Sequence, residues 1–268
     1  MASSKWFILH FDVLLPSVVF IAISVSIFLQ RKLEERISSL FEEKTISVRE
    51  IVLMVAWMGV AVTAVVFIPS EAIQILFLAG YSYVLFSFTY IALKNWFLAA
   101  FPPIFFLFSY FFYWNLVLFN VFVILFSIIL TVYTSGLFSW RTVWIFAALL
   151  TVMDVIQVFV TGFMGQSAMK MIELRLPVIL MLPTYPPGSN VGLGLGDLFL
   201  AGLLSIHMAA KHGVKAGILA AVMNSLAMFI FEVALLNIMF AQFFPATLVV
   251  IAGSTAGLGI ASLIESSE

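Results

Sequence analysis

Gly192-Leu193-Gly194-Leu195-Gly196-Asp197 is the stretch from which the rest of the chain can be read. It follows a proline-rich segment, Leu182-Pro183-Thr184-Tyr185-Pro186-Pro187-Gly188-Ser189-Asn190, and opens the apolar run Leu198-Phe199-Leu200-Ala201. A carboxylate at the mouth of a lipid-length apolar segment is costly, and acids inside membranes are by default functional. Glycines at alternate positions leave the backbone ahead of Asp197 bare, which suits close approach by another chain. A second acid, Asp154, lies in the apolar segment immediately upstream.

Composition sets the solvent. Of 268 residues, 64% are hydrophobic and 9% charged, and the mean hydropathy is +1.20. A soluble domain is nearer half apolar and a quarter charged, so this is an integral membrane protein whose first partner is the lipid bilayer. A net charge of -1 argues against a nucleic-acid partner. The absence of cysteine excludes disulfides, thiolate metal sites and cysteine nucleophiles. The first apolar run, Trp6 to Leu29, is too long for a signal-peptide core and reads as a retained span.

A span needs roughly 20 apolar residues. That ruler predicts an all-α polytopic bundle of about nine spans, at 6–29, 51–68, 72–93, 96–113, 116–137, 141–162, 195–211, 214–236 and 243–264. Pro102-Pro103 should kink or delay the fourth. The phenylalanine-rich stretch from Phe97 to Phe126 reads as lipid-facing and packing surface. Two stretches are expected outside the spans. Residues 30–50 carry five Lys/Arg and five Glu, with Leu33, Ile37, Leu40 and Phe41 on one stripe, the pattern of a helix lying along the interface. Residues 163–193, broken by proline and glycine, read as a hinge or loop between the two acid-bearing spans. Loop charge is asymmetric: nine Lys/Arg on one side against Lys5, Lys170 and Arg175 on the other. The excess places the amino terminus outside and the carboxyl terminus in the cytoplasm.

The two acids can be placed by depth. Asp154 is 14 residues beyond Trp140, and Asp197 is 14 residues before Lys211, with both reference residues on the cytoplasmic side. At 1.5 Å per residue each acid lies about 21 Å into the bilayer. In a core of roughly 30 Å that is about 9 Å below the outer surface for both. Two carboxyls brought within a few ångströms of each other cannot both ionise and share a proton. The ionised member can draw a proton from a water between them, while the protonated member polarises a carbonyl oxygen. This is the chemistry of an aspartyl hydrolase that uses a catalytic water and neither metal nor cofactor. Its substrate helix must unwind first, because a helix hides its amides.

Other polar residues carry blander expectations. Glu232 should snorkel or find an interhelical partner, and Asp12, near the start of the first span, should be wetted. Gln157 follows Asp154 by one helical turn and could bond into the pair. Asn224 reads as interhelical glue, and Gly253-Ser254-Thr255-Ala256-Gly257 as a small-residue packing face. His207 is about 15 Å along its helix from Asp197, too far to assist directly. Lys170 and Arg175 should meet headgroups. Ser254 with His207 lacks a nucleophile motif, and no His-Glu-x-x-His is present.

Several of these segments resemble a known family. Gly194-Leu195-Gly196-Asp197 resembles the GxGD motif of the presenilin and signal peptide peptidase family of intramembrane aspartyl proteases. Met153-Asp154-Val155-Ile156-Gln157-Val158-Phe159-Val160-Thr161-Gly162 resembles that family's sixth helix, and Pro177 to Pro183 the stretch before the seventh in microbial members. Pro245-Ala246-Thr247 occupies the place of its PAL motif. The resemblance covers the last 130 residues or so and matches the first five spans only in number and hydrophobicity. It implies a presenilin-like bundle in a prokaryotic cell membrane. In that reading residues 1–138 form a scaffold of five helices and residues 139–268 the catalytic part. It further implies cleavage of transmembrane segments or signal peptides by Asp154 and Asp197. Gly194, Leu195, Gly196, Pro245, Ala246 and Thr247 would border the site. Met153 stands where the family usually has Tyr, and Thr247 where it has Leu. A homo-oligomer is compatible with this reading. The rival readings are a prepilin-type GxGD peptidase, which has fewer spans and no such proline motif, and a proton- or ion-coupled transporter carrying its load on the same two acids.

Overall fold

Asn and Ser residues start many of the helices, and the apolar runs between them set their lengths. The computed structural model describes residues 10–41, 46–185, 190–238 and 243–267. The helices are α1 (Leu14–Phe41), α2 (Val48–Phe67), α3 (Ser70–Leu93), α4 (Trp96–Phe112) and α5 (Leu116–Ser135), then α6 (Trp140–Val155), α7 (Phe163–Glu173), α8 (Leu195–His212), α9 (Val214–Asn237) and α10 (Thr247–Ser267). A two-stranded antiparallel ribbon, β1 (Ile179–Pro183) and β2 (Asn190–Gly194), precedes α8. Ser47 and Ser139 cap α2 and α6 with reciprocal side-chain bonds, and Asn95 and Asn115 cap α4 and α5.

Among the described residues seven helices are long and apolar enough to cross a bilayer: α1, α2, α3, α5, α6 with its extension, α9 and α10. The chain is a multi-pass membrane protein. α4 is apolar but only 17 residues long. α8 spends four of its 18 positions on Asp197, His207, Lys211 and His212.

The helix at the centre is α8. Its residues Leu198, Leu200 to Met208 are all buried, and α1, α5, α6, α9 and α10 pack around it. A helix buried on nearly every side needs apolar residues on nearly every side, which is what this segment supplies. Where α9 meets α10, a Cβ on Gly253 would come 2.8 Å from Asn224 Cα, and one on Gly257 2.8 Å from Ala220 Cα. Asn224 Nδ2 donates to Ser254 Oγ at 3.0 Å across that contact. The expected small-residue face and interhelical glue are both there. The phenylalanine-rich stretch divides as expected. Phe106, Phe122 and Phe126 form a buried aromatic cluster with Tyr81, while Phe97, Phe101, Phe111 and Phe112 face outward.

The structure corrects five expectations. Residues 30–41 are not a separate interfacial helix but the end of α1. Leu33 and Ile37 continue the buried stripe of Val19, Ile23 and Ile27, and Arg36 donates to the Ala92 carbonyl at the end of α3. The side chains of Leu40 and Phe41, and residues 6–9 of the first predicted span, lie outside the described part. Residues 163–193 are not simply a loop, because α7 and the ribbon form within them. Lys170 does not face headgroups: its Nζ donates to Val65, Val66 and Ile68 at 3.0, 3.3 and 2.6 Å, closing the open carbonyls at the end of α2. Asp12 is not wetted. It is 3% exposed and caps α1, accepting from the Leu14 and Leu15 amides at 2.6 and 2.9 Å. Pro102-Pro103 does not delay α4, which begins at Trp96.

Gly253→Leu should push α10 away from α9 and lower the thermal unfolding temperature in detergent, at a cost of about 1–3 kcal/mol as for overpacking in general. An unchanged transition would show that the two backbones are not held in contact.

Candidate active site

Asp197 sits where the ribbon becomes a helix. Gly194 ends β2 and caps α8, so Asp197 is the third residue of the helix. An acid at that position can fold back to the capping residue's amide, and the Gly194 N–H bonds the Asp197 carboxyl in this way. A Cβ on Gly194 would lie 2.9 Å from Asp197 Oδ2. Any side chain at 194 must therefore displace the Asp197 carboxyl. A Cβ on Gly196 would meet nothing within 4 Å. That residue is exposed, and Asp197 is half-buried.

The ribbon has one open edge. Leu195 N donates to Val178 O at 2.8 Å, which fixes 178 with 195, and so Leu180 with Leu193, as the hydrogen-bonded pairs. Ile179 with Gly194 and Met181 with Gly192 then turn their backbone groups outward. On the β1 side those groups are taken. Asn120 of α5 clamps Met181, donating to its carbonyl at 2.6 Å and accepting its amide at 2.9 Å. Tyr185 exchanges two bonds with Phe11, at 2.9 and 2.8 Å. On the β2 side Gly192 is exposed and turns its N–H and C=O outward, two residues before Gly194, whose own amide is spent on Asp197.

Asp154 is the next-to-last residue of α6 and is 8% exposed. Its carboxyl meets the start of α10. Thr247 Oγ1 donates to Asp154 Oδ2 at 2.7 Å, and the Thr247 amide adds a second bond. Buried Pro245 and half-buried Ala246 form the turn that starts α10, with Val250 N bonded to Ala246 O at 3.1 Å. The positive end of the helix is thus delivered to a buried acid. The expected ninth span begins at Thr247 rather than 243 for this reason: the chain ahead of it is spent on the turn.

The two acids come from different helices. The Asp154 and Asp197 carboxyls lie within electrostatic reach of each other, and α6 packs on α8, with Phe146 edge-on to Phe199 at 6.3 Å. Thr247 touches Asp154 and Gly194 touches Asp197, while Leu195 and Gly196 precede Asp197 in the first turn of α8 and Ala246 precedes Thr247. Gln157 does not join them. Its Nε2 donates to Gly59 O of α2 at 2.8 Å. Met153 also turns to α2, with its sulfur where a Cβ on Gly59 would be, 2.5 Å away. Among the described residues no three side chains of metal-binding type come together. The groups available are two carboxyls and a hydroxyl. Sequence reading missed Asn120, whose only signal was an amide within an apolar span, and missed Thr247 as a donor. No protein-family model matches the chain, and no curated protein matches it.

Because the chain has no cysteine, the meeting of the two acids can be tested directly. Asp154→Cys with Asp197→Cys should crosslink with a short bifunctional thiol reagent in membranes, while each single variant should not. Failure of the double variant to crosslink would separate the two positions.

Proposed function

We propose that the protein is an intramembrane aspartyl endopeptidase of the presenilin and signal peptide peptidase type, a bundle of about nine spans that hydrolyses peptide bonds within transmembrane segments or signal peptides. The observation that carries this reading is that Asp197, in the first turn of α8, and Asp154, bound to the first residue of α10, lie within electrostatic reach of each other beside the strand β2 that leads to Asp197.

The catalytic step follows from one proton shared by the pair. A water between the carboxyls gives a proton to the ionised member as its oxygen attacks the scissile carbonyl carbon. The protonated member donates to the carbonyl oxygen. The resulting gem-diol collapses with cleavage of the C–N bond, and a proton passes from the pair to the departing amine. Thr247 holds one oxygen of Asp154, which orients the other. Substrate must be extended at this point, and the outward backbone groups of Gly192 can bind it as an added strand. Bulk at Gly194 would displace the Asp197 carboxyl, whereas Gly196 leaves room for the strand. The charge asymmetry of the loops puts this edge at the outer side of the membrane.

Reconstituted with a tagged transmembrane substrate, the wild type should cleave with a bell-shaped pH dependence. Asp154→Asn and Asp197→Asn should each lose about 100-fold or more, the scale expected when a general acid or base is removed. Cleavage surviving either change would end the proposal. pH-driven uptake without cleavage would favour the transporter instead. Thr247→Val should lower turnover about tenfold, as loss of a charge-assisted hydrogen bond implies, and Thr247→Ser should restore it. Equal activity of Val and Ser variants would make the hydroxyl irrelevant.

A further inference from the structure

A second pair of acids is buried away from the first. Glu232 of α9 is 2% exposed, and neither of its carboxyl oxygens has a hydrogen-bond partner among the described residues. Opposite it is Asp12, 3% exposed, whose two oxygens each accept one amide from the first turn of α1. Both oxygens thus act as acceptors toward the helix start, the role a carboxylate fills.

Their closeness follows from the packing of α1 on α9. His10 and Asn237 lock the two segments together: the His10 amide donates to Asn237 Oδ1 at 2.9 Å, and Asn237 Nδ2 donates to His10 O at 2.6 Å. From that lock Asp12 lies two residues inward along extended chain, about 6–7 Å. Glu232 lies five residues inward along a helix, about 7.5 Å. The two carboxyls therefore reach the same level on facing elements, with Glu232 within electrostatic reach of Asp12.

A buried carboxyl with no donor beside a fixed anion is heavily unfavourable unless something positive stands between them. We propose that Asp12 and Glu232 bind a small hard cation, sodium or calcium, that pins the start of α1 to the outer end of α9. A proton on Glu232 would serve one oxygen only, whereas a cation serves both oxygens and the charge of Asp12 as well. The free lone pairs on all four oxygens are hard donors. With no third His, Cys, Asp or Glu in the cluster among the described residues, the site suits an oxygen-preferring ion rather than zinc or copper. The pinned end adjoins the catalytic region through Phe231, whose ring packs on Phe244 at 4.4 Å, one residue before Pro245.

The test is thermal unfolding of the full chain in detergent after chelation, titrated with calcium, sodium or choline chloride at constant ionic strength. Calcium or sodium should raise the unfolding temperature by several degrees and choline should not, as expected when a ligand binds only the folded state. Glu232→Gln should abolish the response while keeping the side chain's shape. A response to neither ion, an equal response in Glu232→Gln, or stabilisation of the wild type only on acidification would each overturn the site, the last in favour of a neutral Glu232. Should Glu232→Gln fail to fold, equilibrium dialysis of the wild type with radioactive calcium and sodium decides: one ion per chain supports the proposal and none overturns it.

Discussion

A carboxylate kept from water needs positive potential from the protein, and this chain obtains it from the ends of its own helices. Asp12 lies over the first amides of α1, Asp197 over the capping amide of α8, and Asp154 over the start of α10. Two of the three neutralise themselves locally, because the acid belongs to the helix whose end it caps. Asp154 is different. It stands past the middle of the continuous helical run Trp140–Thr161, far from the amides at that helix's own start. It must borrow a terminus from elsewhere, and α10 supplies one. The fold around the site follows from that demand: α10 must start at depth, so the chain before it is bent through Pro245 and Ala246, and α9 must hold α10 in register.

That holding falls to small residues. Without a hydrophobic drive between helices in lipid, close packing and polar contacts decide which helices touch. Gly253 and Gly257 bring α10 onto α9, and Ser254 meets Asn224 at the same face. α9 in turn carries α1, and α1 with α5 encloses α8. Asn120 on α5 then fixes β1, and β1 fixes β2, at whose end Asp197 begins its helix. A continuous line of contacts therefore runs from the start of α10 at one acid to the start of α8 at the other.

Much of this was legible in the sequence because lipid imposes length and polarity rules that single residues either keep or break. The apolar runs became helices, and counting along two oppositely directed runs gave Asp154 and Asp197 a common depth as an expectation. Polar partners were harder to read. Asp12 near a span's end looks identical to a wetted acid until its amides are seen, and Lys170 looks like a headgroup lysine until α2 ends beside it. Residues 30–41 carry enough charge to suggest an interface, yet their apolar stripe is in phase with that of Ile23 and Ile27. Phase across a charged boundary, rather than composition, was the informative signal there. The ribbon was hidden because Ile179 to Pro183 is too short and too uniformly apolar to distinguish a strand from loop.

Gln157 shows how a local change of helix type redirects a residue. The spacing of three from Asp154 predicts a shared face only if the helix stays at 3.6 residues per turn. After Val155 the backbone widens into a π-helical turn, Ile156–Thr161, and ends at Gly162 with φ of 69°. Wider turns rotate each residue less, so Gln157 lags behind the face of Asp154 and reaches Gly59 on α2. The same widening breaks the line of α6 just past the acid, letting α7 depart toward the end of α2, where Lys170 anchors it. A straight α6 would carry Gln157 under the carboxyl and compete with Thr247 for it. The π turn keeps Asp154 with a single helix end and gives α2 a polar contact of its own. Gly59 allows this, since any Cβ there would meet the Met153 sulfur. The contact between α2 and α6 thus rests on one glycine and one amide, whereas the side of Asp154 facing α10 is held by two hydrogen bonds to Thr247.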